Sequence, residues 1–180
     1  MHVLSGNLKS KRLDYKSSHI RPTSSKVKEA LFSIICNDIS GASFLDLFCG
    51  SGAVAIEAIS RGAEFATGID LHPEIAKKNV KKLGLNSVMV YRNDAIRSLA
   101  ILSKRNVSFD IIFVDPPYRY PDYKALLLSI CKFDILKTDG KLFVEADSID
   151  LEDETFIGLK YMKTYAYGQT KILYFLKDND

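Results

Sequence analysis

The chain has 180 residues, of which 47% are hydrophobic and 26% charged, a composition typical of one globular domain. No apolar stretch approaches the roughly 20 residues that span a bilayer, and the N-terminus lacks the apolar core of a signal peptide, so we expect a cytoplasmic protein. The three cysteines are odd in number and widely spaced, which argues against a disulfide framework and against a zinc site.

The net charge of +3 is distributed unevenly along the chain. Residues 1–28 contain seven Lys or Arg and one acid, a net charge of +6, which leaves −3 for the rest. A basic segment on a mildly acidic body is the pattern expected of a protein that binds a polyanion at one end. A solvated basic tail would have the same composition, so charge alone does not decide between the two.

We call residues 1–23 the arm. A turn at residues 5–7 predicts a hairpin over residues 3–13, with Lys9, Lys11 and Arg12 on its exposed side. Arg21 lies just before a proline that breaks the chain, and it adds a fourth basic side chain. If the polyanion is a nucleic acid, these four side chains are the candidates for phosphate contacts.

After the arm, strand and helix patterns alternate in units of about 20 to 25 residues, which predicts a parallel sheet with crossover helices. We predict helices over residues 25–38, 53–60, 73–84, 95–103 and 123–132, and strands over residues 44–48, 65–69, 88–91, 109–114, 141–146, 157–166 and 171–176. The last two strands are joined by a short turn and form a hairpin. The predicted fold is therefore α/β and Rossmann-like, a single domain over residues 1–180 with a mixed seven-stranded sheet and helices on both faces.

Glycines follow the first strand at Gly50 and Gly52, immediately before a helix. They let the backbone approach a ligand closely, and the helix N-terminus behind them offers unpaired N–H groups. Asp70 ends the second strand, 20 residues after Gly50, where an acid is placed to accept hydrogen bonds from a ribose diol. A nucleoside-containing cofactor is the natural ligand for this arrangement.

The glycine spacing also fits a dinucleotide fingerprint, so a nicotinamide cofactor is an alternative. Asp46, inside the first strand, would repel a pyrophosphate, whereas it suits the ammonium of S-adenosylmethionine. Asp94, after the third strand, supplies a polar group where an adenine edge would lie. The predicted cofactor-binding residues are Asp46, Phe48, Gly50, Gly52, Asp70, Leu71, Asp94 and Ala95.

The fourth strand is an almost continuous apolar run that stops at Asp115-Pro116-Pro117-Tyr118. Neither proline can donate a backbone hydrogen bond, and the first forces Asp115 into an extended conformation. The strand end would thus present a carboxylate, free carbonyls and an aromatic ring. Taken alone, the segment could simply terminate a strand.

These motifs together resemble the RsmD-type methyltransferases. The resemblance covers nearly the whole chain, and it is most specific in Arg21-Pro22-Thr23 combined with Ser60-Arg61-Gly62-Ala63. The chain departs from the family at Asp70, where Glu is usual, and at Tyr118, where Phe is frequent.

The resemblance implies a class I methyltransferase fold and methyl transfer from S-adenosylmethionine to the exocyclic N2 of a guanine in small-subunit (16S) ribosomal RNA. Asp115 and the Pro116 carbonyl would hold the amino group, and Tyr118 would stack on the base. The expected partner is ribosomal RNA or an assembling small subunit, and we expect a monomer without a metal.

Three alternatives stay open. An adenine-N6 nucleic-acid methyltransferase shares the strand-end tetrapeptide, although such enzymes that act on DNA generally add a recognition region. A nicotinamide-dependent oxidoreductase shares the glycine turn and Asp70 but leaves the segment from Asp115 to Tyr118 unexplained. An RNA-binding or assembly factor without catalysis would keep the fold alone.

Overall fold

The computed structural model describes residues 1–15, 24–117, 120, 123–146, 155–168 and 170–178. In these ranges the helices are α1 (Ser25–Ile34), α2 (Ala53–Ser60), α3 (Glu74–Leu83), α4 (Ala95–Lys104) and α5 (Tyr123–Phe133). The strands are β1 (Ser43–Leu47), β2 (Phe65–Asp70), β3 (Val88–Arg92), β4 (Phe109–Val114), β5 (Leu136–Ala146), β6 (Leu159–Tyr167) and β7 (Thr170–Lys177).

The strands form one mixed sheet in the order β3-β2-β1-β4-β5-β7-β6. The first five strands pair in parallel, and β7 pairs antiparallel with both β5 and β6. The predicted fold class is therefore confirmed, including the C-terminal hairpin. Strand β1 lies at the centre between β2 and β4, so the chain turns in opposite directions on its two sides.

Helices cover both faces of the sheet because β1, β2, β4 and β5 contribute apolar side chains to both. One core packs α4 and α5 against side chains such as Leu45, Leu47 and Ile112. The other packs α1 and α2 against the opposite face, with Phe44 and Phe113 at its centre. The central strand β1 is buried along its whole length, as expected of a strand inside a parallel sheet.

Several boundaries differ from the prediction. Helix α1 ends at Ile34 instead of residue 38, because turn-forming Asn37 and Asp38 follow and the chain continues in turns. Strand β5 begins at Leu136, five residues earlier than predicted, and its pairing with β4 is irregular, because residues 137–140 stand opposite Asp110 alone. A side chain on Gly140 would place its Cβ 2.6 Å from the Lys137 carbonyl oxygen, which explains the glycine inside a strand.

The arm returns on itself as predicted, but the described part forms only a single antiparallel bridge, between His2 and Arg12. Turns occupy most of the stretch between them, so no regular hairpin forms. Val3 and Leu13 are buried against Ile56 of α2. The arm is thus packed on the body along residues 1–15, and Arg21 lies outside the described residues.

Within the described ranges, no helix combines the length and the apolar character needed to cross a membrane.

Candidate active site

A cavity of about 380 Å³ opens at the carboxyl ends of β1, β2, β3 and β4. Ligands bind at this position in open α/β sheets, because the connections on the two sides of a central strand diverge there and leave a crevice. The volume falls within the range of small-molecule sites. The lining residues are Phe48, Gly50, Ile69, Asp70, Leu71, His72, Asn93, Asp94, Ala95, Asp115, Pro116, Pro117 and Tyr120.

The loop after β1 forms the inner side of the cavity and turns sharply. Phe48 has a φ of 67°, a left-handed conformation that costs a side-chain-bearing residue on the order of 1 kcal/mol. Gly52 has a φ of 74° and begins α2, and a Cβ there would lie 3.1 Å from the Cβ of Ala76. The glycine therefore allows the loop to pass close to α3.

Asp70 ties this loop to the end of β2. One carboxylate oxygen accepts a hydrogen bond from the Gly50 N–H at 2.8 Å, and the other accepts one from the His72 N–H at 2.8 Å. Each oxygen keeps a second lone pair for a ligand. The carboxylate is thus fixed in orientation at the rim of the cavity, where a diol could be bound by both oxygens.

The third strand contributes Asn93, Asp94 and Ala95. Asp94 is the N-cap of α4, and its carboxylate accepts a hydrogen bond from the Arg97 N–H at 3.0 Å. The side chain of Asn93 accepts one from the Asp94 N–H, and the Asn93 N–H donates to the carbonyl of Asp70. The polar groups of two strand ends are therefore held in one network.

Asp46 lies beneath the cavity and does not line it. Its side chain is 1% exposed, and one oxygen accepts a hydrogen bond from the Ala55 N–H in the first turn of α2 at 3.1 Å. Burial raises the pKa of this carboxyl well above its usual value, and the nearby charges of Asp115 and Asp70 raise it further. Asp46 is absent from the cavity lining, and its predicted contact with the cofactor stays a prediction.

The fourth strand ends at the cavity in Asp115, Pro116 and Pro117. The Asp115 N–H points towards the carbonyl of Leu47, at 3.4 Å, which keeps this segment alongside the end of β1. Tyr118 lies outside the described residues, so its predicted stacking role stays a prediction. Pro117 is exposed at the mouth, and Pro116 is buried.

The aromatic ring that the structure does bring to the cavity is Tyr120. It meets the ring of Phe48 edge-on at a centroid distance of 5.3 Å, and it contacts Tyr123 of α5 in the same way at 5.7 Å. Sequence reasoning also missed His72 as a lining residue. Its signal was the spacing of two residues from Asp70, at the end of the same strand.

Of the predicted cofactor residues, six line the cavity and two, Asp46 and Gly52, lie behind it. The six are Phe48, Gly50, Asp70, Leu71, Asp94 and Ala95. Both residues behind the cavity act on the same loop, Asp46 through α2 and Gly52 by beginning that helix.

Helix α2 also anchors the arm, through the buried carboxylate of Glu57. Oε2 accepts hydrogen bonds from the Leu4 N–H at 2.8 Å and pairs with Lys28 Nζ at 3.2 Å. Oε1 accepts from the Ser5 N–H and from Arg61 Nε, both at 2.9 Å. Glu57 is fully buried and Lys28 is 1% exposed, so this cluster fixes the arm to α1 and α2.

The predicted RNA-binding side chains Lys9, Lys11 and Arg12 are all exposed on this anchored arm. They lie outside the cavity lining. Asp14, near the end of the described part of the arm, is held by the buried amide of Asn79, which accepts from the Asp14 N–H and donates to its carbonyl. The same amide donates to the carbonyl of Ser51 in the glycine loop at 2.9 Å. The side chain of Asn79 therefore binds both the arm and the glycine loop of the cavity.

A parallel sheet in this order, closed by an antiparallel hairpin and with its cavity above the central strands, defines the Rossmann-like class I methyltransferase fold. Solved structures share it. The structure titled "Putative methyltransferase yhhF from Escherichia coli" superposes with a TM-score of 0.86 at 25% identity, covering 100% of this chain and 99% of that one. A structure titled "SMU.776, a putative methyltransferase complexed with SAH" has a TM-score of 0.62 at 16% identity, covering 83% of this chain and 49% of that one, and shows the fold alone.

The chain belongs to the family described as "Conserved hypothetical protein 95", whose model matches residues 1–176, and it is an RsmD-type methyltransferase. It is 38% identical over 182 residues to "Putative rRNA methyltransferase YlbH" of Bacillus subtilis, covering 98% of this chain and 99% of that one. It is 32% identical to "Ribosomal RNA small subunit methyltransferase D" of Buchnera aphidicola, covering 82% of this chain and 78% of the relative.

Proposed function

We propose that the protein transfers the methyl group of S-adenosylmethionine to the exocyclic N2 of a guanine in small-subunit (16S) ribosomal RNA. The observation that carries the proposal is the meeting, in one cavity, of the Asp70 carboxylate with the acceptor-rich strand end Asp115-Pro116-Pro117. The names of the two relatives support ribosomal RNA as the substrate. The guanine position and the amino group rest on the family resemblance.

The residues of the cavity fit S-adenosylmethionine in shape and in charge. Asp70 would bind the ribose diol, Asp94 the adenine edge, and Phe48 and Ala95 an apolar face of the base. The buried carboxyl of Asp46 interacts electrostatically with Asp115 and with Asp70, so a ligand carrying a sulfonium and an ammonium would relieve this repulsion. A pyrophosphate would increase it, which disfavours a nicotinamide cofactor.

The chemistry that the bound cofactor supplies is an activated methyl group, so the protein has mainly to hold the nucleophile. The amino lone pair of guanine is delocalised into the ring and reacts poorly until it is oriented. The Asp115 carboxylate and the Pro116 carbonyl would accept the two amino hydrogens, which localises the lone pair and aims it at the methyl group. Positioning of this kind can reach effective molarities of about 10⁵ M or more.

The proton of the methylated amino group needs no strong base, because an exocyclic ammonium of this kind is very acidic. Asp115 would therefore act as a hydrogen-bond acceptor, with the proton lost to it or to water afterwards. The base must leave its stack, or already be single-stranded, to reach the cavity. Tyr120 and Phe48 form the aromatic wall against which it could lie.

The decisive experiment is incubation of the protein with labelled S-adenosylmethionine and unmodified small-subunit particles, followed by nucleoside analysis. The expected product is N2-methylguanine. N6-methyladenine would instead establish the adenine enzyme, which Asp115 and Pro116 would serve equally well. Failure to bind S-adenosylmethionine at all would favour the assembly factor without catalysis.

A second experiment, with variants of Asp115 and Asp70, tests the roles proposed within the site. Asp115→Ala should abolish transfer and leave cofactor binding nearly intact, because Asp115 is proposed to hold the substrate amino group. Binding is measured by calorimetry with S-adenosylhomocysteine and transfer with the labelled donor. Equal loss of both would contradict this division. Asp70→Ala is the matched comparison, since it should weaken cofactor binding first.

A further inference from the structure

The net positive charge of the chain is concentrated in two segments, and the structure packs the described part of the first against the second. The first is residues 1–28, with a net charge of +6. The second is residues 74–84, which comprise α3 and its C-cap and contain four lysines and one acid, a net charge of +3. Since the whole chain carries +3, everything outside these two segments has a net charge of −6.

The four lysines occupy the outward side of α3. The inward side of the helix has buried Ala76 and Asn79. Val80 and Leu83 pack there against the cluster that joins the arm to α2, which consists of Val3, Leu13, Ala53 and Ile56. Lys77 and Lys81 are one turn apart, and so are Lys78 and Lys82, so the lysines form two adjacent rows on the opposite side. All four are exposed.

Contacts between the arm and α3 make the two basic segments one surface. Lys78 Nζ pairs with the Asp14 carboxylate at 2.8 Å, and Lys82 Nζ pairs with it at 3.2 Å. The buried amide of Asn79 binds the backbone of Asp14 at both its N–H and its carbonyl. The arm is therefore held directly beside the lysine rows.

The lysines exceed what the stability of the helix requires. Lysine in the last turn interacts favourably with the helix C-terminus, which accounts for Lys81 and Lys82. Helices α4 and α5 each have one lysine in their last turn, and α1 has no basic residue there. Lys77 lies outside the last turn, and neither Lys77 nor Lys81 has an acidic partner among the described residues.

We propose that α3 extends the RNA-binding surface of the arm. Lys77 and Lys81 contact the phosphate backbone, whereas Lys78 and Lys82 hold Asp14 in place and also add positive charge. The ligand of this surface is RNA, because rows of lysine charges on an exposed helix neutralise phosphates and make no sequence-specific contact with bases. The inference rests on the proposed function for the identity of the nucleic acid. It places a sequence-independent contact surface on the body of the protein, outside the cavity.

The experiment measures filter binding of an in vitro transcript of small-subunit rRNA between about 50 and 200 mM salt. Lys77→Glu/Lys81→Glu should weaken binding and reduce the salt slope by about 1.4 to 1.8, since each lost phosphate contact removes about 0.7 to 0.9. Lys11→Glu/Arg12→Glu in the arm should have a comparable effect. Lys77→Ala/Lys81→Ala should give the same loss of slope with a smaller loss of affinity.

Lys104→Glu/Arg105→Glu is the matched control, because it makes the same charge change at exposed positions at the end of α4, on the opposite face of the sheet. It should leave the salt slope unchanged. An unchanged slope in the Lys77/Lys81 variant, or an equal fall in the α4 control, would overturn the proposal. Far-UV circular dichroism and cofactor binding confirm that each variant is folded.

Methyl transfer to small-subunit particles separates this inference from the proposed function. If the wild-type protein transfers a methyl group and the α3 variant keeps the wild-type slope, only the inference fails. If the wild-type protein transfers none but binding still depends on Lys77 and Lys81, only the proposed function fails. If the α3 variant binds naked rRNA normally but methylates particles poorly, the surface contacts a ribosomal protein and the RNA assignment is wrong.

Discussion

Glu57 offers the sharpest test of how the arm is attached. Its two oxygens accept four donors at 2.8 to 3.2 Å, two at each oxygen, in a fully buried site. In Glu57→Gln one oxygen is replaced by an NH₂ group, which cannot accept hydrogen bonds. In either orientation of the amide, two of the four donors face the NH₂ group and lose their acceptor. Lys28 also loses the negative charge that compensates for its burial.

The size of the loss follows from the burial of the pair. Removing one partner of a buried ion pair costs about 3 to 5 kcal/mol, because the remaining charge stays in a poorly solvated site. For a domain of about this length, each kcal/mol lowers the melting temperature by about 2 to 4 °C. We therefore expect Glu57→Gln to melt roughly 6 to 20 °C below the wild-type protein.

The pH dependence identifies Lys28 as the origin of the loss. Burial lowers the pKa of Lys28 below its usual value, and Glu57 is what partly restores it. In Glu57→Gln the folded-state pKa falls further, so the unfolded state binds more protons than the folded state as the pH approaches 10.5 from below. The stability of the variant relative to wild type should therefore rise with pH in this alkaline range.

Thermal melts of Glu57→Gln and of Glu64→Gln, an exposed glutamate in the connection between α2 and β2, measure the effect. The control should stay within about 0.5 kcal/mol of wild type. Adding Lys28→Met to Glu57→Gln should recover part of the loss, because it removes the stranded charge. A melting temperature equal to that of the control, or no recovery in the double variant, would refute the reasoning.

Two further predictions concern the cavity floor and the arm. In the cofactor-free protein, Asp46→Asn should raise the melting temperature, and the gain should grow as the pH rises above about 4, because the folded state of wild type holds a proton that the unfolded state releases. A gain independent of pH would show that Asp46 does not cost stability by its charge. Gly6→Ala would place a Cβ 1.7 Å from the carbonyl oxygen of Ser60, so it should displace the arm and expose it to limited proteolysis, whereas Asn7→Ala should not. Equal protease resistance in both variants would contradict the close packing of the arm on α2.

The strand–helix alternation and the carboxyl-end motifs could be predicted because both follow from local sequence. A continuous apolar run predicts a strand buried on both faces, and β4 has the bounds that were predicted for it. Asp70, Asp94 and Asp115 could be assigned to one cavity because parallel strands place their carboxyl ends at one edge of the sheet. For the same reason, the sequence predicts the class of cofactor.

The depth of a side chain and the identity of its partners depended on the tertiary structure. Asp46 has the residue type and the position of a ligand-binding acid, but only the structure shows that its buried carboxylate accepts a hydrogen bond from the first turn of α2. Tyr120 lies two residues beyond the predicted stacking residue, and only the structure shows that its ring meets Phe48. Local patterns specify which face of an element is buried but not what lies opposite that face.

The arm illustrates the same division. The positive charge of the arm and that of α3 can both be counted from the sequence. However, Glu74 lies 60 positions after Asp14, so the sequence does not show that the two segments meet. The fold alone brings them together, through the contacts of Asp14 with Asn79, Lys78 and Lys82. Sequence by itself determined the class of sheet and the acids at its edge, because these depend on local periodicity. The attachment of the arm, and the surface it forms with α3, depend on contacts between distant segments, which only tertiary packing decides.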